Sequence, residues 1–150
     1  MSRVAYSLRP STEDDLPFVA ALVRANRAAE AQRQIGPEAE EAPASIEGRF
    51  RPGRDWIVTS DGEQIGVLSL DRRADAVIVR HIALLPEFQN RGIGSALIRG
   101  VLDFAVTVKL PVRLRLLKDN PARSLYERLG FAVTSEDGQR YEMTARPAGA

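Results

Sequence analysis

Hydrophobic and polar positions alternate in some stretches of this chain and recur every three or four residues in others, and the change of period divides it into strands and helices. Val4, Tyr6 and Leu8 alternate with polar neighbours in RVAYSLRP, which predicts a half-buried opening strand. STEDD follows, with Thr12 and Asp14 as rival N-caps and acidic residues for a first helical turn. Pro17 suits that turn, and Leu16, Val19, Ala20, Leu22 and Val23 continue at helical spacing. Between Ala25 and Arg54 the periodicity fades into pieces of helix interrupted at Gly36-Pro37 and Pro43.

From Asp55 the pattern is that of strands. DWIVTSDGEQIGVLSLD places two apolar runs around Asp61-Gly62, a hairpin signal, with Trp56, Ile57 and Val58 reading as core. Arg49, Arg51 and Arg54 before it read as a solvated basic loop. A third run, DAVIVRHIALL, spans Asp75 to Leu85 and stops at Pro86. Ile93, Leu97, Val101, Phe104 and Val108 then predict roughly four turns of helix. PVRLRLL reads as a strand with Arg113 and Arg115 alternating against apolar residues. In NPARSLYERLG, Asn120 can cap a short helix, Pro121 suits its first position and Gly130 ends it. FAVT and RYEMTA close the chain as a pair of strands. The expectation is a single α/β (α+β) domain over residues 1–145, with about seven strands in a mixed sheet, about four helices packed on it and a disordered tail at 146–150.

Composition narrows the chemistry. A chain of 150 residues can bury a core without staples. With 21 Lys and Arg against 20 Asp and Glu, the net charge of +1 argues against a nucleic-acid partner. The absence of cysteine excludes disulfides, thiolate metal sites and cysteine nucleophiles, and a single histidine excludes a histidine cluster, so no metal is expected. MSRVAYSLRPSTEDDLPF lacks a signal-peptide apolar region and no apolar run has membrane-spanning length, so a cytoplasmic location without membrane contact is expected.

The remaining signal is QNRGIG at residues 89–94, between an apolar strand and an amphipathic helix. Glycine costs helix propensity but lets another group approach the backbone, and the first amides of a helix are unpaired donors at its positive end. Such a place suits an anion, most often a phosphate. A Walker loop needs a lysine, and Gly94-Ser95 offers none; a dinucleotide fingerprint needs a third glycine, where Ser95, Ala96 and Leu97 stand. A pyrophosphate loop of the form Gln/Arg-x-x-Gly-x-Gly/Ala is filled by Gln89, Asn90, Arg91, Gly92, Ile93 and Gly94, with Arg91 as a charged donor.

IALLPEFQNRGIGSALI and NPARSLYERLGF, in this order and spacing, resemble the GNAT superfamily of N-acetyltransferases. The resemblance covers about Asp55 to Met143 well and residues 1–25 loosely. It implies a mostly antiparallel sheet whose fourth and fifth strands splay, and acetyl-coenzyme A as cosubstrate, bound by residues 89–94 with Ser95. It also implies that backbone amides at Ile82 and Leu84 hold the pantetheine arm, that of Ile82 facing the thioester carbonyl as an oxyanion donor. By the same resemblance Asn120 contacts the coenzyme and Tyr126 both contacts it and protonates the departing thiolate. The acceptor is then an amine, of a small molecule or a protein, attacked directly in a ternary complex; residues 26–54 form one wall of its site, and a homodimer is a common assembly.

One element of the family pattern is missing. Many members carry a glutamate on the fourth strand, whereas AVIVRHIALL has no carboxylate between Asp75 and Glu87. His81 is the residue there of a type that titrates near neutrality, and it is the candidate base; Glu30, Glu38, Glu40, Glu41 or a water chain are alternatives. The missing carboxylate also supports a rival reading, a non-catalytic sensor of acyl-coenzyme A.

Overall fold

The structure is a computed structural model that describes residues 5–33 and 50–146. Two compact units make it up, one of residues up to Ser69 with His81–Gly94, the other of Leu70–Arg80 with Ser95 onward.

In the first unit, β1 (Ser7–Pro10) leads to a 3₁₀ turn at Glu13–Asp15 and then to α1 (Leu16–Arg33). Thr12 is the cap: its side chain accepts from the Asp14 amide at 3.2 Å, while the Asp15 carboxylate accepts from the Thr12 amide at 2.8 Å. This reciprocal box leaves Pro17 in the first turn, where its missing N–H costs nothing. The helix then runs unbroken to Arg33, past the point where apolar periodicity fades, because Ala25, Ala28, Ala29 and Ala31 favour helix whatever faces them. β2 (Trp56–Ser60) and β3 (Glu63–Arg72) form the expected hairpin, with Asp61 at φ 50° and Gly62 at φ 80° in the turn. Val19, Leu22, Phe50, Ile57 and Val67 build the core of this unit, with Phe18, Ala83 and Leu85 packed against it.

Several expectations need correction. Leu8 is 41% exposed, since among the described residues β1 is an edge strand paired only with β2. Trp56 is exposed as well; it alternates with the fully buried Ile57 and faces the other side of the strand. Arg51 is not solvated, because its backbone and guanidinium both donate to Asp55, a carboxylate only 1% exposed that also accepts from Ser69 Oγ at 2.7 Å. Val4, Arg49 and the breaks at Gly36-Pro37 and Pro43 lie outside the described residues, as do Glu38, Glu40, Glu41 and residues 147–150.

The second unit contains the start of β4 (Val77–Leu84), most of α2 (Ile93–Val108), β5 (Val112–Leu117), α3 (Arg123–Arg128), β6 (Ala132–Glu136) and β7 (Arg140–Ala145). β4 pairs with β5 in parallel, with register pairs at Val77–Val112 and Ile78–Arg113, the short ladder of a splayed pair. β7 pairs antiparallel with β5 and β6, completing a seven-stranded order β1-β2-β3-β4-β5-β7-β6. Leu97, Ile98, Val101 and Ala105 are the buried face of α2; Phe104 is exposed, with the Arg72 guanidinium 5.8 Å from its ring centroid. α3 starts at Arg123, two residues later than Pro121 suggests, because Asn120 and Pro121 form a turn in which Asn120 Oδ1 accepts from the Ala122 amide at 2.8 Å. Among the described residues there are three α-helices rather than about four, the segment between Arg33 and Phe50 being outside them.

Candidate functional site

Burial along β4 alternates regularly as far as Arg80, and then His81, Ile82 and Ala83 are all half-buried before the buried Leu84. Gly66 of β3 lies directly against this end of the strand. A Cβ there would collide with the Ala83 carbonyl oxygen and lie 2.7 Å from Leu84 Cδ2, so only glycine permits this close approach. The strand ends where the Leu85 amide donates to the Ile65 carbonyl at 2.8 Å.

Pro86–Phe88 forms a 3₁₀ turn, Phe88 and Gln89 donating back to Leu85 and Pro86. The backbone then curls tightly: Asn90 stands at φ 61° and Gly92 at φ 82°, the left-handed region that asparagine tolerates and glycine occupies freely. A loop of this kind turns successive amides toward one concavity, a nest suited to anions. It runs directly into α2 at Ile93, which is 1% exposed and anchors the helix start. Apart from their own chain neighbours, Cβ atoms built on Gly92 and Gly94 would meet no atom of the described residues within 4 Å, so the backbone face at both glycines is open to a ligand among those residues. Arg91 is exposed, and its guanidinium lies 5.6 Å from the Phe88 ring centroid, which holds a cation beside the loop. Left-handed turns, first-turn amides, two unobstructed glycines and a charged donor fit a diphosphate.

Gln89 behaves differently from a loop ligand. Its Nε2 donates to Asn26 Oδ1 of α1 at 2.8 Å and to the Leu84 carbonyl at 3.0 Å, so the side chain points back into the fold. Asn26 and Gly66 are the site neighbours that sequence reading missed. An isolated glycine within a strand pattern was an available signal for Gly66; a polar residue on an alanine-rich helix gave none for Asn26.

The first unit thus brings together His81, Ile82, Leu84 and residues 89–94. Ser95, Asn120 and Tyr126 belong to the second unit. There Tyr126 is half-buried on α3, its ring edge-on to Phe131 at 5.7 Å, and its backbone carbonyl accepts from the Phe131 amide. Burial pushes the Tyr126 phenol above its ordinary pKa, which keeps its proton in place at neutral pH. Asn120, with its oxygen accepting from the Ala122 amide, closes the turn before α3 rather than capping the helix, whose N-cap is Ala122. Among the described residues no group of three or more His, Asp or Glu side chains could hold a metal ion, and no helix is long and apolar enough to cross a membrane.

Comparison with known proteins bears on the family and the fold. The family model described as an acetyltransferase (GNAT) domain matches residues 52–133. The spermidine N(1)-acetyltransferase of Escherichia coli (strain K12) is 28% identical over 144 residues, covering 86% of this chain and 74% of that protein. The crystal structure of PaiA N-acetyltransferase from Thermoplasma acidophilum in complex with coenzyme A superposes with a TM-score of 0.74 at 19% identity, over 95% of this chain and 99% of that one. The ribosomal-protein-S18-alanine N-acetyltransferase of Escherichia coli gives 0.68 at 22% identity, over 97% and 96%. At these identities the structural likenesses establish the fold.

Proposed function

The chain belongs to the GNAT acetyltransferase family, and from that premise we propose that it transfers an acetyl group from acetyl-coenzyme A to an amine by direct attack in a ternary complex. The observation that carries this reading is the loop at 89–94, whose left-handed Asn90 and Gly92 and unobstructed Gly94 fit the coenzyme's diphosphate. The coenzyme supplies the activated acetyl thioester.

The chain's own residues would then do the following. Amides of Gly92, Ile93, Gly94 and Ser95, with Arg91, bind the diphosphate, as amides at a helix start do for anions. Amides at Ile82 and Leu84 hold the pantetheine arm, that of Ile82 meeting the oxygen on which negative charge develops as the amine nitrogen bonds to the acetyl carbon. The carbon–sulfur bond breaks, and Tyr126 gives its proton to the departing sulfur. The phenol is protonated at neutral pH, as an acid must be before it gives up its proton. His81, adjacent to Ile82 on β4, is the proposed base that takes the proton from the amine. Asn120 contacts the coenzyme through its side-chain NH2, its oxygen being engaged in the turn.

The acceptor class is an amine, of a small molecule or a protein; one relative is named for spermidine and another for a ribosomal-protein alanine. The test is thermal unfolding with acetyl-coenzyme A, coenzyme A, ATP and NAD, followed by thiol release with an amine panel. Stabilisation by the two coenzyme A species alone, then thiol release with an amine, is expected. Stabilisation without release from any amine would favour the sensor reading, and stabilisation by ATP or NAD instead would overturn the loop assignment.

A further inference from the structure

Gln89 opens the loop, yet its side chain joins three segments, α1 at Asn26, the end of β4 at Leu84 and the loop itself, the first of them distant in sequence. The chemistry of this junction is determined. A backbone carbonyl can only accept, so the group facing Leu84 O at 3.0 Å must be the Gln89 nitrogen. The same nitrogen has a second hydrogen, and the atom 2.8 Å away on Asn26 must therefore be its oxygen. Both donors are satisfied, both bonds have good lengths, and the partners lie 63 and 5 residues away.

We propose that Gln89 and Asn26 form a positioning latch: Gln89 holds the first residue of the diphosphate loop against the end of β4, and Asn26 holds Gln89. This rests on the coenzyme reading above. The reason for a latch is mechanical. Asn90 and Gly92 are in a conformation few residues adopt, and Gly94 adds freedom next to them, so the loop's own backbone does little to fix its shape. An anion-binding loop is effective when its amides are already aimed, since ordering them on binding subtracts from affinity. The Gln89 amide supplies that order from outside the loop. Asn26 is thus the residue through which α1, a helix with no part in the diphosphate site, sets coenzyme affinity.

The hydrogen-bond directions make the inference testable with close isosteres. Asn26→Asp keeps an acceptor oxygen for Gln89, Asn26→Leu removes it, and Gln89→Glu removes both donors. Acetyl-coenzyme A dissociation constants are measured by calorimetry for the full-length wild type and each variant. The expected result is wild-type affinity for Asn26→Asp and about a tenfold loss for Asn26→Leu, the worth of one neutral hydrogen bond. At least that loss is expected for Gln89→Glu. Rescue by aspartate separates positioning from general damage to α1, and Asn26→Ala stands in should the leucine variant not fold. Unchanged affinity in Asn26→Leu alongside a loss in Gln89→Glu would overturn the latch and make Gln89 a direct ligand. If wild-type protein binds no acetyl-coenzyme A, the coenzyme reading itself fails. A urea-unfolding cycle of Asn26→Leu, Gln89→Leu and the double variant then decides the latch alone: coupled effects support it, and additive ones end it.

Discussion

At φ 82° with no atom of the described residues within 4 Å of the position of a Cβ, its chain neighbours aside, Gly92 meets backbone strain but no collision among those residues when substituted. Such strain costs about 1–2 kcal/mol for an L residue, or a fall of a few degrees in Tm for a chain of this size, roughly 2–4 °C per kcal/mol. Gly92→Val is therefore expected to stay folded while its side chain occupies the face offered to the diphosphate. Calorimetry should show acetyl-coenzyme A binding abolished; retained affinity would remove the loop from the coenzyme site. Tyr126 makes the complementary case, since removing its hydroxyl leaves the edge-on ring contact with Phe131 intact. Tyr126→Phe should lower turnover in a thiol-release assay by about 10²-fold or more, the usual range for an acid or base, with coenzyme affinity unchanged. Equal turnover would reduce Tyr126 to a packing role. Both positions were legible in the sequence as candidates because the glycine loop and the NPARSLYERLGF helix are short, contiguous signals. The direction of the Gln89 side chain was not, because its helix partner lies 63 residues away.

Elements were legible where their period was local. The Asp61-Gly62 hairpin, the run ending at Pro86 and the helix beginning at Ile93 all stand as read. Faces were less so, since alternation gives two sides of a strand without saying which is covered. Leu8 is exposed because edge-strand position, a property of the assembled sheet, overrides its hydrophobicity, while Trp56, on the interior strand β2, lies on the side of the strand opposite the buried Ile57. The end of β4 depends in the same way on a residue of another strand. Gly66 gives it room, and a methyl group at that position would press on the backbone carbonyl of Ala83 rather than on a flexible side-chain end. Overpacking of this kind costs about 1–3 kcal/mol. Gly66→Ala should lower Tm and, by moving the amides at Ile82 and Leu84, should also reduce kcat/KM once an acceptor is in hand. A variant with wild-type Tm and kcat/KM would show that β4 does not depend on this contact.

For the molecule as a whole, stability against pH integrates contacts that no single motif announces. Asp15 is held below the usual carboxylate range first by its hydrogen bond with Arg9, against the cost of burial, and then by the Thr12 amide and Gln64. Asp137 is lowered by the amides of Gln139 and Arg140 in its turn, and Tyr126 is raised by burial. A depressed carboxylate stabilises the fold above its unfolded pKa, about 3.9. That stability drains away as pH falls through the lower folded value, because the unfolded chain takes up protons first. A raised phenol does the reverse: its contribution is complete below about 10 and is lost as pH climbs toward the folded value. The chain should thus hold a plateau across neutral pH, with an acid limb below about 3.9 and an alkaline limb above about 10. Urea midpoints of wild type and Asp15→Asn, measured from pH 7 to pH 2, separate the contributions. The variant should be less stable at pH 7 and approach wild type as the carboxylate protonates; curves that stay parallel would mean the Asp15 cluster holds no charge-dependent stability. Because the Arg9 side chain is 41% exposed, added salt should shrink the neutral-pH gap. Tyr126→Phe, unable to ionise, should retain its stability further into the alkaline limb than wild type does, which ties the proton that the proposed acid must keep to a measurement needing no substrate.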